Sequence, residues 1–319
     1  MADFNLSPYA DKARLTPICL LVNKDGTIGQ NTDPTITVAR QSTGVYKVFC
    51  ALQMGLYSLS ACVSETSAHY ATVINGDAGG LDPGFFFVVT FANATAGAED
   101  AAFTLTINKL DGPIGLFAGD SLTVGNHAAP GDSTGGSRFV VTDDMRKNGK
   151  LMLTAGPCFV GQGPQGGFHR GIAGETMQSI ISGGSAGGGL PEIGFLYAKA
   201  KPRASTLAWG VNDMANGATV NQMLGYAEQI LNAARQASQK TYFAFESICV
   251  PGAGAAGGYG ANRAIGTAFN VALPLWCAQH QIDFIDRGTP EQAADQIHLT
   301  TNGYAAVGAI EYAWYSRFF

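Results

Sequence analysis

The sequence predicts an α/β protein: a mostly parallel sheet covered on both faces by helices, preceded by a small antiparallel all-β domain. Three observations carry this. Residues 1–111 read as short strands separated by turn clusters, without helical periodicity. From residue 112 onward, short apolar runs alternate with segments of helical period. Glycine supplies 42 of 319 residues, roughly twice the usual share, so the chain is rich in connections.

In the first part, β-branched and aromatic residues crowd Val45 to Cys50, Leu56 to Val63 and Phe85 to Phe91, and Phe103 to Asn108 alternates with period two. The turn clusters Lys24-Asp25-Gly26 and Asn75 to Gly80 divide these runs. After Asp111-Gly112-Pro113, candidate buried strands are Ile114 to Ala118, Leu151 to Val160, Thr206 to Trp209, Tyr242 to Val250 and Ile282 to Ile285. Between them Val220, Met223, Leu224, Ala227, Ile230, Leu231 and Ala234 follow the spacing of an amphipathic helix. A second helix is expected over Ala261 to Gln279, kinked or shortened at Pro274, and a last one from about Asn302 to Tyr315. Such alternation implies right-handed crossovers, with ligands beyond the carboxyl ends of the strands.

Composition narrows the function. An apolar fraction of 46% is too high for disorder, and a length of 319 residues suffices for two domains with cores of their own. Only 13% of residues are charged and the net charge is -5, which leaves no basic stripe for nucleic acid. No run reaches the length of a membrane span, and the start Met-Ala-Asp-Phe-Asn-Leu-Ser-Pro has neither region of a secretory leader. The expectation is synthesis in the cytoplasm without a signal peptide, and no membrane partner. The six cysteines stand singly without a CxxC pair, as reduced, small apolar residues do.

Three glycine-containing motifs compete for the active site. Gly252-Ala253-Gly254-Ala255-Ala256-Gly257 fits GxGxxG, but Gly258-Tyr259-Gly260 prolongs the loop and about 60 residues remain, too few for a second nucleotide-binding half. Gly183-Gly184-Ser185-Ala186-Gly187 fits the GxSxG elbow, yet Ser185 follows the helical stretch Glu175 to Ser182 where that elbow needs a strand. The third, Ile114 to Thr123, delivers Ser121 at the carboxyl end of an apolar strand. Partners follow later strands: Gly210-Val211-Asn212-Asp213, and Asp295-Gln296-Ile297-His298, where one turn can hold an aspartate against an imidazole whose other nitrogen faces a serine.

Over about residues 112–319 the chain resembles the SGNH (GDSL-type) hydrolase family. Gly119-Asp120-Ser121-Leu122 is similar to its nucleophile block, Gly171-Ile172-Ala173-Gly174-Glu175-Thr176 to its glycine block, Gly210-Val211-Asn212-Asp213 to its GxND block and Asp295-Gln296-Ile297-His298 to its DxxH block. The resemblance implies a three-layer α/β/α, flavodoxin-like catalytic domain and a serine esterase without a cofactor. It makes Ser121 the nucleophile, His298 the general base and Asp295 its orienting acid. The N–H groups of Ser121 and Gly174 and the amide of Asn212 would form the oxyanion hole. Serine needs such a base at neutral pH, and the tetrahedral intermediate needs donors aimed at its oxygen. Glycine at 174 is expected to let the backbone approach closely. Asp120 and Asp213 are expected to accept nearby loop or helix-start N–H groups and lock the site.

His69 falls in the β domain, His127 in a polar loop and His280 at a helix end; none has a clear chemical role. His169 and Tyr259 are candidates for the wall of the substrate cleft, whereas Trp209 reads as core from its strand position. No HxH or HExxH pair suggests a metal. The loops Gly161 to Gly171, Ser182 to Pro191 and Pro251 to Gly260 are small and glycine-rich, without an apolar lid helix. They point to a polar cleft and to short acyl esters, O-acetylated carbohydrate above all. Ser42 to Val48 followed by Leu56 to Val63 resembles small β modules of bacteriophage tail-fibre proteins. That implies a virion-associated enzyme acting on bacterial surface polysaccharide, with tail or homo-oligomer partners. The alternative is a glycan-binding or structural tail module without catalysis.

Overall fold

The computed structural model describes residues 14–32, 36–50, 53–54, 57–63, 70–75, 85–91, 98–125, 136–156, 158–159, 168–185 and 188–319. Its first part contains β1 (Arg14–Val22), β2 (Ile28–Asn31), β3 (Ile36–Ser42), β4 (Val45–Cys50), β5 (Gln53–Met54), β6 (Tyr57–Val63), β7 (Tyr70–Asn75), β8 (Phe85–Phe91) and β9 (Phe103–Asp111). All but β5 form two antiparallel sheets, ordered β2-β1-β9-β6 and β3-β4-β8-β7. The period-two reading of β9 holds in space, since Phe103 and Leu105 are buried while Thr104 and Thr106 are half-buried. His69 and His127 lie outside the described residues.

The second part continues with β10 (Ile114–Gly119), α1 (Ser121–Val124), α2 (Ser137–Lys147), β11 (Leu153–Gly156), β12 (Cys158–Phe159), β13 (Phe168–Gly171), α3 (Met177–Ser182), α4 (Leu190–Ala200), β14 (Ala204–Ala208), α5 (Val211–Ala215), α6 (Val220–Ala237), β15 (Tyr242–Glu246), α7 (Gly258–Ala261), α8 (Arg263–Gln279), β16 (Asp283–Ile285) and α9 (Thr301–Tyr315). Strands β10, β14, β15 and β16 pair in parallel in that order. The other edge of β10 pairs with β11 along its first half and with β13 along its second, both parallel. Strand β5 pairs antiparallel with β11, so the N-terminal part is hydrogen-bonded to the parallel sheet.

Alternate residues of β10 serve opposite faces. Leu116 and Ala118 pack with Ile180 of α3, Leu196 of α4, Ile230 of α6 and Phe269 of α8. Phe117 packs with Val141 and Met145 of α2 and Trp314 and Tyr315 of α9. The result is the three-layer α/β/α arrangement. Among the described residues no helix is long and apolar enough to cross a membrane.

Five sequence expectations need correction. Helix α8 runs through Pro274 to Gln279; Phe269, Leu273, Trp276 and Cys277 bury its inner face, and that packing outweighs the missing backbone bond. Strand β15 stops at Glu246, because its partner β16 is only three residues long. The run Leu151 to Val160 divides into β11 and β12, which join different neighbours. The segment expected as a loop to Gly171 contains β13, and the one expected to reach Pro191 ends at Gly189, with Pro191 in the first turn of α4.

Candidate active site

The sequence-predicted residues gather at the carboxyl ends of the parallel strands: Ser121 after β10, Gly174 after β13, Asn212 after β14, and Asp295 and His298 after β16. Ser121 opens α1 and is 6% exposed. Asp120 caps that helix, its Oδ1 accepting the N–H of Leu122 at 3.0 Å. The first-turn amide of Ser121 therefore has no partner within the helix.

Imidazole, serine and carboxylate form one relay. His298 Nε2 lies 3.1 Å from Ser121 Oγ, and His298 Nδ1 lies 2.6 Å from Asp295 Oδ2. The other oxygen of Asp295 accepts the N–H groups of Ile297 and His298, each at 3.0 Å. Partial burial works to raise the Asp295 carboxyl, but these bonds and the imidazole outweigh it and hold its pKa below the usual range. An ionised Asp295 keeps a proton on Nδ1 and leaves Nε2 free to take one from serine.

Asn212 stands against the glycine block. Its Nδ2 donates to the carbonyl of Glu175 at 2.9 Å, and its Oδ1 accepts from the Tyr259 hydroxyl at 2.7 Å. Gly174 is exposed and left-handed, with φ +76°, and a Cβ there would meet nothing within 4 Å. Glycine suits this left-handed backbone conformation. Asp213 accepts the first amides of α3, Met177 N–H at 2.9 Å and Gln178 N–H at 3.1 Å, and so ties the GxND loop to the glycine block. Burial raises its pKa against the pull of those two bonds.

His169 does not line a cleft. It is fully buried on β13, and its Nδ1 accepts the N–H of Gly171 at 2.9 Å. Burial, then Arg138 and Arg170, push its pKa well below the ordinary value. Both faces of β13 are covered here, since the next residue, Arg170, is fully buried as well. Tyr259 is half-buried and engaged with Asn212. Trp209 is core, as expected.

The sequence reading missed a buried hub at Glu175. Its carboxylate takes both terminal nitrogens of Arg170, the indole N–H of Trp209 at 3.1 Å and the hydroxyl of Ser185. Arg170 also donates to Glu192 at 3.0 Å. Ser185 of the GxSxG match is thereby a brace for the glycine block. The available signal was charge scarcity: in a chain with so few ions, an arginine and a glutamate flanking a glycine block are conspicuous. Among the described residues no group of three or more His, Cys, Asp or Glu is arranged to hold a metal ion.

Beside Gly174 lies an open recess of about 320 Å³, lined by Ile172, Ala173, Thr176, Ser179, Ser185 and Asn216 among others. It is small and edged by hydroxyls and amides.

The sequence matches the model of the GDSL-like lipase/acylhydrolase family over residues 117–306. Solved structures of similar fold include a carbohydrate esterase family 3 from Talaromyces cellulolyticus, 18% identical, covering 64% of this chain and 97% of its own, with a TM-score of 0.50. A Clostridium thermocellum family 3 carbohydrate esterase is 16% identical over 64% of this chain and 94% of its own, at TM-score 0.50. Est24, a carbohydrate acetylesterase from Sinorhizobium meliloti, is 13% identical over 65% of this chain and 100% of its own, at TM-score 0.51. No curated protein matches the chain in sequence.

Proposed function

Because the chain belongs to the GDSL-like lipase/acylhydrolase family, we propose that it is a serine esterase that removes short acyl groups, acetyl first, from carbohydrate. The observation that carries this reading is the relay Ser121–His298–Asp295, with its 3.1 Å and 2.6 Å contacts. His298 Nε2 takes the proton of Ser121 as Oγ attacks the ester carbonyl, and Asp295 steadies the imidazolium. The N–H groups of Ser121 and Gly174 and the Nδ2 of Asn212 receive the developing oxyanion. The alkoxide leaves with the proton of His298, water enters as the next nucleophile through the same base, and the acid is released.

The choice of a short acyl group is supported by the recess beside Gly174, which is lined by that proposed oxyanion donor and not by Ser121 or His298. About 320 Å³ edged by Thr176, Ser179, Ser185 and Asn216 suits a compact polar ligand, and a long acyl chain would want an apolar trough. Fold-level likeness to carbohydrate esterases agrees with this. Residues 1–111 are read as a binding or attachment module, fastened to the catalytic sheet through β5 and β11. Acetate release from an O-acetylated polysaccharide, measured beside a series of p-nitrophenyl esters of increasing chain length, tests the reading. Acetate should be released, and the rate should fall as the acyl chain lengthens. A preference for long chains, or glycan binding without release, would contradict it.

A further inference from the structure

We propose that Tyr259 is a positioning residue for the oxyanion donor Asn212, presented by a loop that also grips the catalytic histidine segment. The inference rests on the reading of Asn212 as a donor to the oxyanion.

A carboxamide can serve that role in only one of its two flipped orientations, with Nδ2 and not Oδ1 toward the reacting carbonyl. Two contacts select that orientation here. The Glu175 carbonyl accepts one Nδ2 hydrogen at 2.9 Å, and the Tyr259 hydroxyl donates to Oδ1 at 2.7 Å. A flipped amide would set its oxygen against the Glu175 carbonyl, two acceptors facing one another. The hold from Glu175 and Tyr259 leaves the second Nδ2 hydrogen for the substrate. Glu175 is itself immobilised by Arg170, Trp209 and Ser185.

Tyr259 is seated equally firmly. It lies in α7, and the preceding loop closes on Gln296, which sits between Asp295 and His298 in the chain. Gly252 N–H donates to the Gln296 carbonyl and Gly254 N–H to its Oε1, both at 2.9 Å. A Cβ at either glycine would stand 2.2 Å or 2.7 Å from the Gln296 side chain, so the glycines that imitate a nucleotide motif admit this glutamine. Gln296 is held at φ +58°, a conformation that costs a non-glycine residue free energy and that these bonds maintain. Beyond α7, Asn262 Nδ2 donates to the Ala215 carbonyl at the end of α5, whose second residue is Asn212. One loop therefore sets both the base segment and the oxyanion donor.

The test is a double-mutant cycle on p-nitrophenyl acetate with Asn212→Ala, Tyr259→Phe and the combined variant. Phenylalanine keeps the ring and removes only the hydroxyl. Asn212→Ala should lower kcat about a hundred- to a thousandfold. Tyr259→Phe should lower kcat about tenfold with KM changed less than about twofold, the size expected for one lost hydrogen bond. In the Asn212→Ala background the tyrosine change should have no further effect. Wild-type kcat in Tyr259→Phe would overturn the proposal while leaving Asn212 its role. A raised KM with unchanged kcat would overturn it too, making Tyr259 a substrate contact, and so would an undiminished tyrosine effect in the double variant. Wild-type kcat in Asn212→Ala would instead remove the reading on which the proposal rests.

Discussion

At Asp120, beside the nucleophile, the carboxyl is wholly buried and accepts the Leu122 N–H. Burial raises its pKa to about 7, against the opposing pull of that bond and of Arg287. The sign follows from linkage. The unfolded carboxyl titrates near 4, so between about pH 4 and about pH 7 the folded protein holds a proton that the unfolded chain has released. The contribution of this group to stability is present at the acid end of that window and is lost as pH rises through it. Asparagine also caps a helix and does not titrate. The stability of wild type relative to Asp120→Asn should therefore decline from pH 4 to 7 and level off above, as read from denaturant titrations at each pH. A constant difference would contradict the buried, protonatable Asp120. The relay of Ser121, His298 and Asp295 was legible in the sequence, because its members sit in short blocks of fixed order. The contact of Tyr259 with Asn212 was not, since the two are 47 positions apart and no local pattern links them.

Among the elements, α9 ties sheet to helix layer by hydrogen bonding as well as packing. The Tyr315 hydroxyl donates to the Leu116 carbonyl on β10 at 2.8 Å and accepts the Thr206 N–H on β14 at 3.1 Å. It is fully buried, so Tyr315→Phe leaves a backbone donor and acceptor without water to replace the hydroxyl. The expected cost is about 1–3 kcal/mol, seen as a lower urea midpoint with an unchanged slope. An unchanged midpoint would mean that the hydroxyl does not bridge the strands. Helix α6 was readable because its buried residues Met223, Ala227, Ile230, Leu231 and Ala234 recur at helical spacing. Helix α2 was not, since its apolar residues Phe139, Val140 and Val141 are bunched, only Val141 and Met145 of its apolar residues are buried, and its seat is supplied by Trp314 and Tyr315 of α9. Strand β13 escaped notice for a similar reason: four residues, two of them His169 and Arg170, become a strand only by pairing with β10.

For the whole molecule, the low charge acquires a structural meaning. Several of its few ions are spent in buried clusters, Arg170 with Glu175 and Glu192 under the glycine block, and Arg287 with Glu246 and Glu311 beneath α9. Breaking either cluster would strand a buried charge, so they fix one arrangement of the loops above the sheet. Glycines supply the left-handed turn at Gly174 and the tight passage around Gln296. Among the described residues the recess beside Gly174 is edged by hydroxyls and an amide, and the central proposal is that Ser121, His298 and Asp295 hydrolyse an ester beside it. That claim is tested most directly by the turnover of p-nitrophenyl acetate by wild type and by Ser121→Ala, with folding of the variant checked by its melting curve. The account predicts ready hydrolysis by the wild type and a loss in kcat of at least about a thousandfold in a fully folded variant. Comparable rates for the two proteins would contradict it.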